Sequence, residues 1–272
     1  MKFAGIIAEY DPFHNGHAWQ LAQAKALGAE RVAVAMSCSL VQRGALPLLP
    51  EAVRTRSALT CGADLVFALP APCACAGAEA FARAGVALLA AAGCDGLVFG
   101  AETPDAALLM EAAELLDSGS YRAALKAQLA GGARSFAAAR QAAAAQLASD
   151  ERVAALLDKP NNNLAVEYCR AIRSLAPRME AYPLPRQGAN HGEALHSAHG
   201  QFASASALRK LWAEGGADAV APYVPEAVFP LYQEAYAAGQ YTDFSAAGRC
   251  ELALLRSCLL YTSPSPRDPK TS

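Results

Sequence analysis

The sequence lacks the marks of an exported or membrane-bound chain. Its opening residues, MKFAGIIAEYDPFHNGH, have no basic leader, no long apolar run and no small-residue cleavage site. No run of about 18 residues is apolar enough to be a membrane span, and a cytoplasmic protein is expected. Neither charge is in surplus: 23 Lys and Arg stand against 25 Asp and Glu, which excludes a uniformly basic nucleic-acid coat. C-x-x-C pairs are absent too. The cysteines, Cys38, Cys61, Cys73, Cys75, Cys94, Cys169, Cys250 and Cys258, are scattered, so they read as small buried hydrophobes rather than zinc ligands. Cys73 and Cys75 are one residue apart, which suits neither a zinc knuckle nor a redox turn.

Apolar bulk, by contrast, is plentiful. With 54% hydrophobic and 18% charged residues over 272 positions, the chain can bury the core of one or two domains. Its charge is unevenly spread, with net −5 in residues 1–120, +6 in 121–212 and −3 in 213–272. An anionic partner is therefore expected to approach the middle of the chain.

The first half repeats an apolar run followed by an alanine-rich helical stretch. FAGIIAEY, RVAVAMS, ADLVFALP and DGLVFG read as strands. HAWQLAQAKALG, PEAVRTRSALTCG and AGAEAFARAGVALLAAAG read as the helices between them, the first and last ending at Gly28 and Gly93. This pattern predicts an α/β fold, a doubly wound parallel sheet with ligands at the carboxyl ends of its strands. A helical insertion is expected over about 104–158, with a turn at Gly131–Gly132. KPNNNLAVEYCRAIRSLA then predicts a helix capped by one of its asparagines, and RMEAYPLPR a strand. A glycine- and histidine-rich loop is expected from Gly188 to Gly200, and FASASALRKLWAEGG as a serine-capped helix. The domain reading is 1–212 for the sheet with its insertion and 213–258 for a helical region with breaks at Pro222, Pro225 and Pro230. Residues 259–272 are expected to be a disordered, non-native tail on a truncated chain, because YTSPSPRDPKTS carries no apolar periodicity.

Two clusters carry chemistry. His14, Gly16 and His17 form H-x-G-H at a strand-to-helix turn. Gly16 admits a close ligand, the helix start offers free N–H groups, and two imidazoles can donate to phosphate oxygens. A capped turn with two surface histidines is the plainer alternative. In FASASALR, Ser204, Ser206 and Arg209 open a helix and suit an anion. Together the clusters match the nucleotidyltransferase superfamily, whose two motifs clasp the triphosphate of ATP.

GIIAEYDPFHNGH, VQRG, GADLVFALP, AEAFARAGVALL, VFGAE, KPNNNLAVEY and ASALR narrow the resemblance. In that order the chain resembles the bacterial tRNA(Met) cytidine acetate ligases, from its first residues to about residue 212. The resemblance implies a Rossmann-like nucleotidyltransferase fold and ATP-dependent activation of acetate to acetyladenylate. Transfer of acetyl to the wobble cytidine of elongator tRNA(Met) would follow. It implies His14 and His17 as catalytic groups and an ATP-lining stretch of Ile7, Ala8, Glu9, Tyr10, Asp11, Pro12, Phe13, His14, Asn15, Gly16, His17, Ala18, Trp19 and Gln20. Gly100, Asn161, Asn162, Arg186, Ser204, Ser206 and Arg209 complete the implied nucleotide site, with Asn161 the first choice of the asparagines. Mg²⁺ on the phosphates is expected, without a motif fixing its ligands.

The chain also departs from the family pattern. Asp11 stands where asparagine is usual, and Pro50 and Glu51 replace an acid–lysine pair. Arg43 and Arg54 keep their positions and are expected to contact phosphate or tRNA, solvated surface arginines being the alternative. His191, His196 and His199 share one loop, for which a flexible loop is favoured over a metal site. Trp212 and Tyr223 read as core aromatics, with base stacking the less favoured alternative. Two other readings stay open: an adenylyltransferase acting on a small phosphorylated cofactor precursor, and a nucleotide binder without turnover. The tail expectation is checked in an independent genomic source: helical sequence continuing after Leu255 supports it, and a stop codon directly after Ser272 sinks it.

Overall fold

The computed structural model describes residues 1–133, 135–186, 195–197 and 200–262. Strands β1 (Phe3–Ala8), β2 (Arg31–Ser37), β3 (Leu65–Leu69), β4 (Gly96–Ala101) and β5 (Glu180–Pro185) form one sheet in the order β3-β2-β1-β4-β5. Every neighbouring pair is parallel. Helices α1 (Asn15–Ala26) and α2 (Glu51–Thr60) carry the chain outward from β1 to β3. The short α3 (Ala71–Ala74) and α4 (Ala78–Ala91) bring it back past β1 to β4. The winding direction therefore reverses between β1 and β4, the place where such sheets open a crevice for ligands.

The central strands are apolar on both sides because helices cover both faces. Along β2, Val32, Val34 and Met36 join one core with Leu21 and Ala24 of α1. Ala33 and Ala35 join the other with Phe81, Val86 and Leu89 of α4. Helix α4 crosses β1 at glycine distance. A Cβ on Gly85 would lie 2.5 Å from Ile7 Cδ1, and one on Gly5 would lie 2.9 Å from Leu89 Cδ1.

The expected insertion consists of α5 (Ala106–Asp117), α6 (Gly119–Ala130), α7 (Phe136–Leu147) and α8 (Glu151–Leu156), with Gly132 at φ +83° in the turn between α6 and α7. Helix α9 (Pro160–Leu175) leads into β5. A two-stranded antiparallel ladder of β6 (Leu195–Ser197) and β7 (Gly200–Phe202) lies where only a loop was expected. Helix α10 (Ala205–Val220) bends at Gly216, with φ +68°. Helices α11 (Phe229–Ala237) and α12 (Phe244–Thr262) follow.

Several expectations shift. Helix α1 begins at Asn15, ahead of the expected start at His17. No asparagine caps α9: Lys159 holds that position and Pro160 opens the helix with its preset φ. Pro230 lies in the first turn of α11 rather than breaking a helix, the position where a missing N–H costs nothing. Helix α12 continues to Thr262 and so takes in the first four residues of the expected tail, and residues 263–272 lie outside the described residues. Trp212 is buried against Tyr232, as a core aromatic. Among the described residues no helix is long and apolar enough to cross a membrane.

Arg54 of α2 corrects a sequence expectation more sharply, because it is shut off from solvent and its hydrogen bonds go to carbonyls. Its side chain is fully buried. Nη1 donates to the carbonyls of Glu9 and Ser37, each at 2.7 Å, and Nε donates to Leu49 at 3.0 Å. Nη2 donates to the Cys38 carbonyl. The expected phosphate or tRNA contact is thus replaced by a clamp on the chain where it leaves β1 and β2. Arg54→Ala should leave four carbonyls without this donor and destabilise the fold by about 2–4 kcal/mol. Urea unfolding measures it, and a loss below about 1 kcal/mol would contradict the clamp.

Candidate active site

Beyond β1 the chain turns sharply through Tyr10, whose φ of +51° is a left-handed conformation costing a tyrosine about 1–2 kcal/mol. The Asp11–Pro12 peptide bond is cis. Tyr10 and Phe13 point inward and are buried, packed edge to face with ring centroids 4.9 Å apart. Tyr232 donates its hydroxyl to the Phe13 carbonyl at 2.7 Å, and Asn15 donates its amide to the Pro222 carbonyl at 3.3 Å. Pro12, Phe13 and Asn15 therefore do not line the cleft as expected; their side chains anchor the turn to the protein interior. Ala18 is also absent from the cleft walls.

The two histidines are fixed by the helix they start. His14 is the N-cap of α1, and its Nδ1 accepts the Gly16 N–H at 3.0 Å. His17 Nδ1 accepts the His14 N–H at 3.3 Å. The arrangement is a reciprocal capping box built from imidazoles. Each Nδ1 acts as acceptor, so each neutral ring carries its proton on Nε2. The rings stack with centroids 3.8 Å apart, and Tyr10 supports His17 from below at 4.8 Å. Burial, followed by the nearby Arg186 charge, pushes His14 down to about 4. Burial, His14 and Arg186 push His17 well below its ordinary value.

Around them a cleft opens at the carboxyl ends of β1 and β4. His14, Gly16, His17, Trp19, Gln20, Gly100, Asn161 and Arg186 line one part. Ile7, Ala8, Glu9, Tyr10, Asp11, His14, His17 and Arg43 line the adjoining part. Ser204, Ser206 and Arg209 border its far end together with Glu9, Arg43 and Arg186. The structure thus brings both sequence clusters to one cleft. Ser204 caps α10 by accepting the Ala207 N–H at 3.2 Å, with Ser206 Oγ 3.0 Å away. Gly100 and Arg186 face each other closely, since a Cβ on Gly100 would lie 3.4 Å from Arg186 Cγ.

The asparagine pair divides. Asn161 lines the cleft. Asn162 is buried and accepts the Thr103 N–H at 2.9 Å while donating to Thr103 Oγ1 at 3.2 Å, so its amide is committed to the fold rather than to the expected nucleotide contact. Glu102 escaped the sequence reading. Its carboxylate accepts the N–H groups of Asn161 at 3.3 Å and Asn162 at 2.7 Å, capping α9 from the end of β4. It also accepts the Asn161 amide at 2.5 Å. The available signal was its place as the first charged residue after VFGA. Leu164 and Tyr168 were missed as well; with Asn161 they share one face of α9.

Glu9, Asp11 and the exposed Glu214 are the carboxylates of the cleft. Glu9 accepts the Gln42 N–H at 2.6 Å and is raised by burial. Asp11 is also raised by burial and is engaged with Leu48 and Arg209. Among the described residues no group of three or more His, Cys, Asp and Glu could hold a metal ion. His191 and His199 lie outside the described residues, and His196 falls in β6.

Comparison with known proteins gives consistent neighbours. The model of the HIGH Nucleotidyl Transferase family matches residues 1–261. The chain is 41% identical over 218 residues to a tRNA(Met) cytidine acetate ligase of Syntrophotalea carbinolica, covering 79% of this chain and 52% of that one. It is 35% identical over 244 residues to the protein of that name from Caldanaerobacter subterraneus, covering 88% and 60%. The chain thus spans between half and three-fifths of the length of these relatives. The crystal structure of Thermotoga maritima TmcAL bound with alpha-thio ATP superposes with a TM-score of 0.79 at 30% identity, covering 89% of this chain and 57% of that one. The apo form of the same protein gives 0.81 at 31% identity, with 89% and 58% covered.

Neutral Nε2–H imidazoles have a direct signature. Nitrogen-15 NMR at neutral pH should find both rings in that tautomer, with His14 titrating near 4; a midpoint near 6.5 would contradict the geometry. The unfolded rings protonate first as pH falls below 6.5, so both histidines lower stability as pH falls from there, His14 until about 4.

Proposed function

The chain belongs to the HIGH nucleotidyl transferase family, and from that premise we propose that it is the ATP-dependent part of a tRNA(Met) cytidine acetate ligase. The observation that carries this reading is that the imidazole pair capping α1 and the serine-capped start of α10 border one cleft at the carboxyl ends of β1 and β4. In the proposed reaction an acetate oxygen attacks the α-phosphorus of ATP, the bond to the β-phosphate oxygen breaks, and pyrophosphate leaves. The exocyclic amine of the wobble cytidine in elongator tRNA(Met) then attacks the acetyl carbon. AMP departs and the amine loses a proton.

Neither step demands a nucleophile from the protein; positioning and charge neutralisation suffice. His14 and His17 are neutral donors to phosphate oxygens as negative charge moves onto the leaving group. Arg43, Arg186 and Arg209 supply positive charge at the end of the cleft bordered by α10. Asn161, oriented by Glu102, offers a polar edge on the nucleotide side. Mg²⁺ would arrive on the triphosphate as part of the substrate. Among the described residues no group of three or more His, Cys, Asp and Glu is placed to hold it, and no protein ligand is assigned to it.

The test is pyrophosphate release from ATP with and without acetate and unmodified elongator tRNA(Met). Release that requires acetate is expected. Release without acetate favours an adenylyltransferase with another acceptor, and ATP binding without release favours a non-catalytic relative. His14→Asn and His17→Asn keep a side-chain acceptor at the helix start while removing the Nε2 donor. Each should lower release by about a hundredfold or more; full activity in both would refute their role.

A further inference from the structure

Asp11 lies where the two arms of the cleft meet, and it is held there more firmly than its partner. Its Oδ1 accepts the Leu48 N–H at 2.6 Å. Leu48 is itself fixed, because its carbonyl accepts the Thr242 N–H at 2.8 Å and the Pro47 carbonyl accepts the Thr242 hydroxyl at 2.6 Å. Arg209 Nη1 approaches Asp11 Oδ2 at 3.1 Å and the Asp11 carbonyl at 2.6 Å. Asp11 is 4% exposed, whereas the Arg209 side chain is 30% exposed. The arginine can therefore leave and the carboxylate cannot follow. Arg43, Arg186, Arg209 and Lys210 border this end of the cleft, and among the described residues Arg209 alone of these is in an ion pair.

We propose that Asp11 is an internal anion that competes with a polyphosphate for Arg209. Triphosphate binding then proceeds by exchange: the guanidinium trades a carboxylate oxygen for a phosphate oxygen, and Asp11 keeps the Leu48 N–H and the neighbouring charge of Arg54. Adenosine, which has no phosphate, leaves the ion pair intact. Departure of pyrophosphate returns Arg209 to Asp11, so the pair that weakens triphosphate binding also helps to release pyrophosphate. This inference rests on the nucleotide reading of the cleft.

Calorimetric titration of ATP and of adenosine into the full chain tests it, using wild type, Asp11→Asn, Arg209→Gln and the double variant. Asparagine keeps the acceptor for Leu48 and removes the competing charge. Asp11→Asn should tighten ATP about fivefold, the equivalent of about 1 kcal/mol for a part-exposed ion pair. Adenosine affinity should not change, and the gain should vanish in the Arg209→Gln background. An equal gain in that background would reduce the effect to simple repulsion and overturn the exchange. Weaker or unchanged ATP binding would make Asp11 a support for Arg209 and overturn it too, as would a parallel change in adenosine. Should thermal melting show Asp11→Asn unfolded, Asp11→Ser takes its place under the same criteria. Absence of ATP binding in every protein, wild type included, would remove the nucleotide reading itself and this inference with it.

Discussion

A buried guanidinium with no carboxylate bonded to it sits where the first two strands end, and the site is assembled around it. Carbonyl oxygens at strand ends have lost their ladder partners and must be satisfied or left in water. Arg54 satisfies those of Glu9, Ser37 and Cys38 together with Leu49. This closes the end of the sheet with backbone rather than with bulky side chains. The crevice between β1 and β4 stays open beside it, and the turn carrying Tyr10 to His14 leaves β1 from a fixed origin.

From that origin the same atoms serve fold and chemistry. A helix start needs acceptors for its free N–H groups, and here the acceptors are imidazole nitrogens. Capping uses Nδ1 of both rings, which leaves Nε2–H as the only remaining polar function on each. The rings are thereby restricted to donating. Stacking and burial keep them uncharged, so they present hydrogen-bond donors without adding a full positive charge beside Arg186. At the opposite wall, Ser204 spends its hydroxyl as a cap in the same manner and leaves the start of α10 facing the cleft.

Much of this was legible in the residues. The sheet announced itself because strands buried on both faces read as unbroken apolar runs, as in RVAVAMS. The two motif clusters were placed correctly at strand and helix ends. What could not be read were partnerships between distant segments. Histidine is a rare N-cap, so α1 started earlier than its composition suggested. Helix α9 takes its capping carboxylate from Glu102, 58 residues before its first helical position at Pro160, so the local asparagines gave a false cap. Arg54 read as a phosphate or tRNA contact because its partners are carbonyls, which have no identity in a sequence. Asn162 likewise hides its commitment to Thr103.

The turn that carries both histidines is also held from the far side of the chain. Tyr232 reaches the Phe13 carbonyl across 219 positions, Arg209 reaches Asp11 across 198, and Thr242 reaches Pro47 across 195. Closing contacts of such separation costs more chain entropy than closing local ones. In synthesis the turn precedes each of these partners, so the bonds that set its outer side wait for residue 242. The turn is thus made before every segment that completes it.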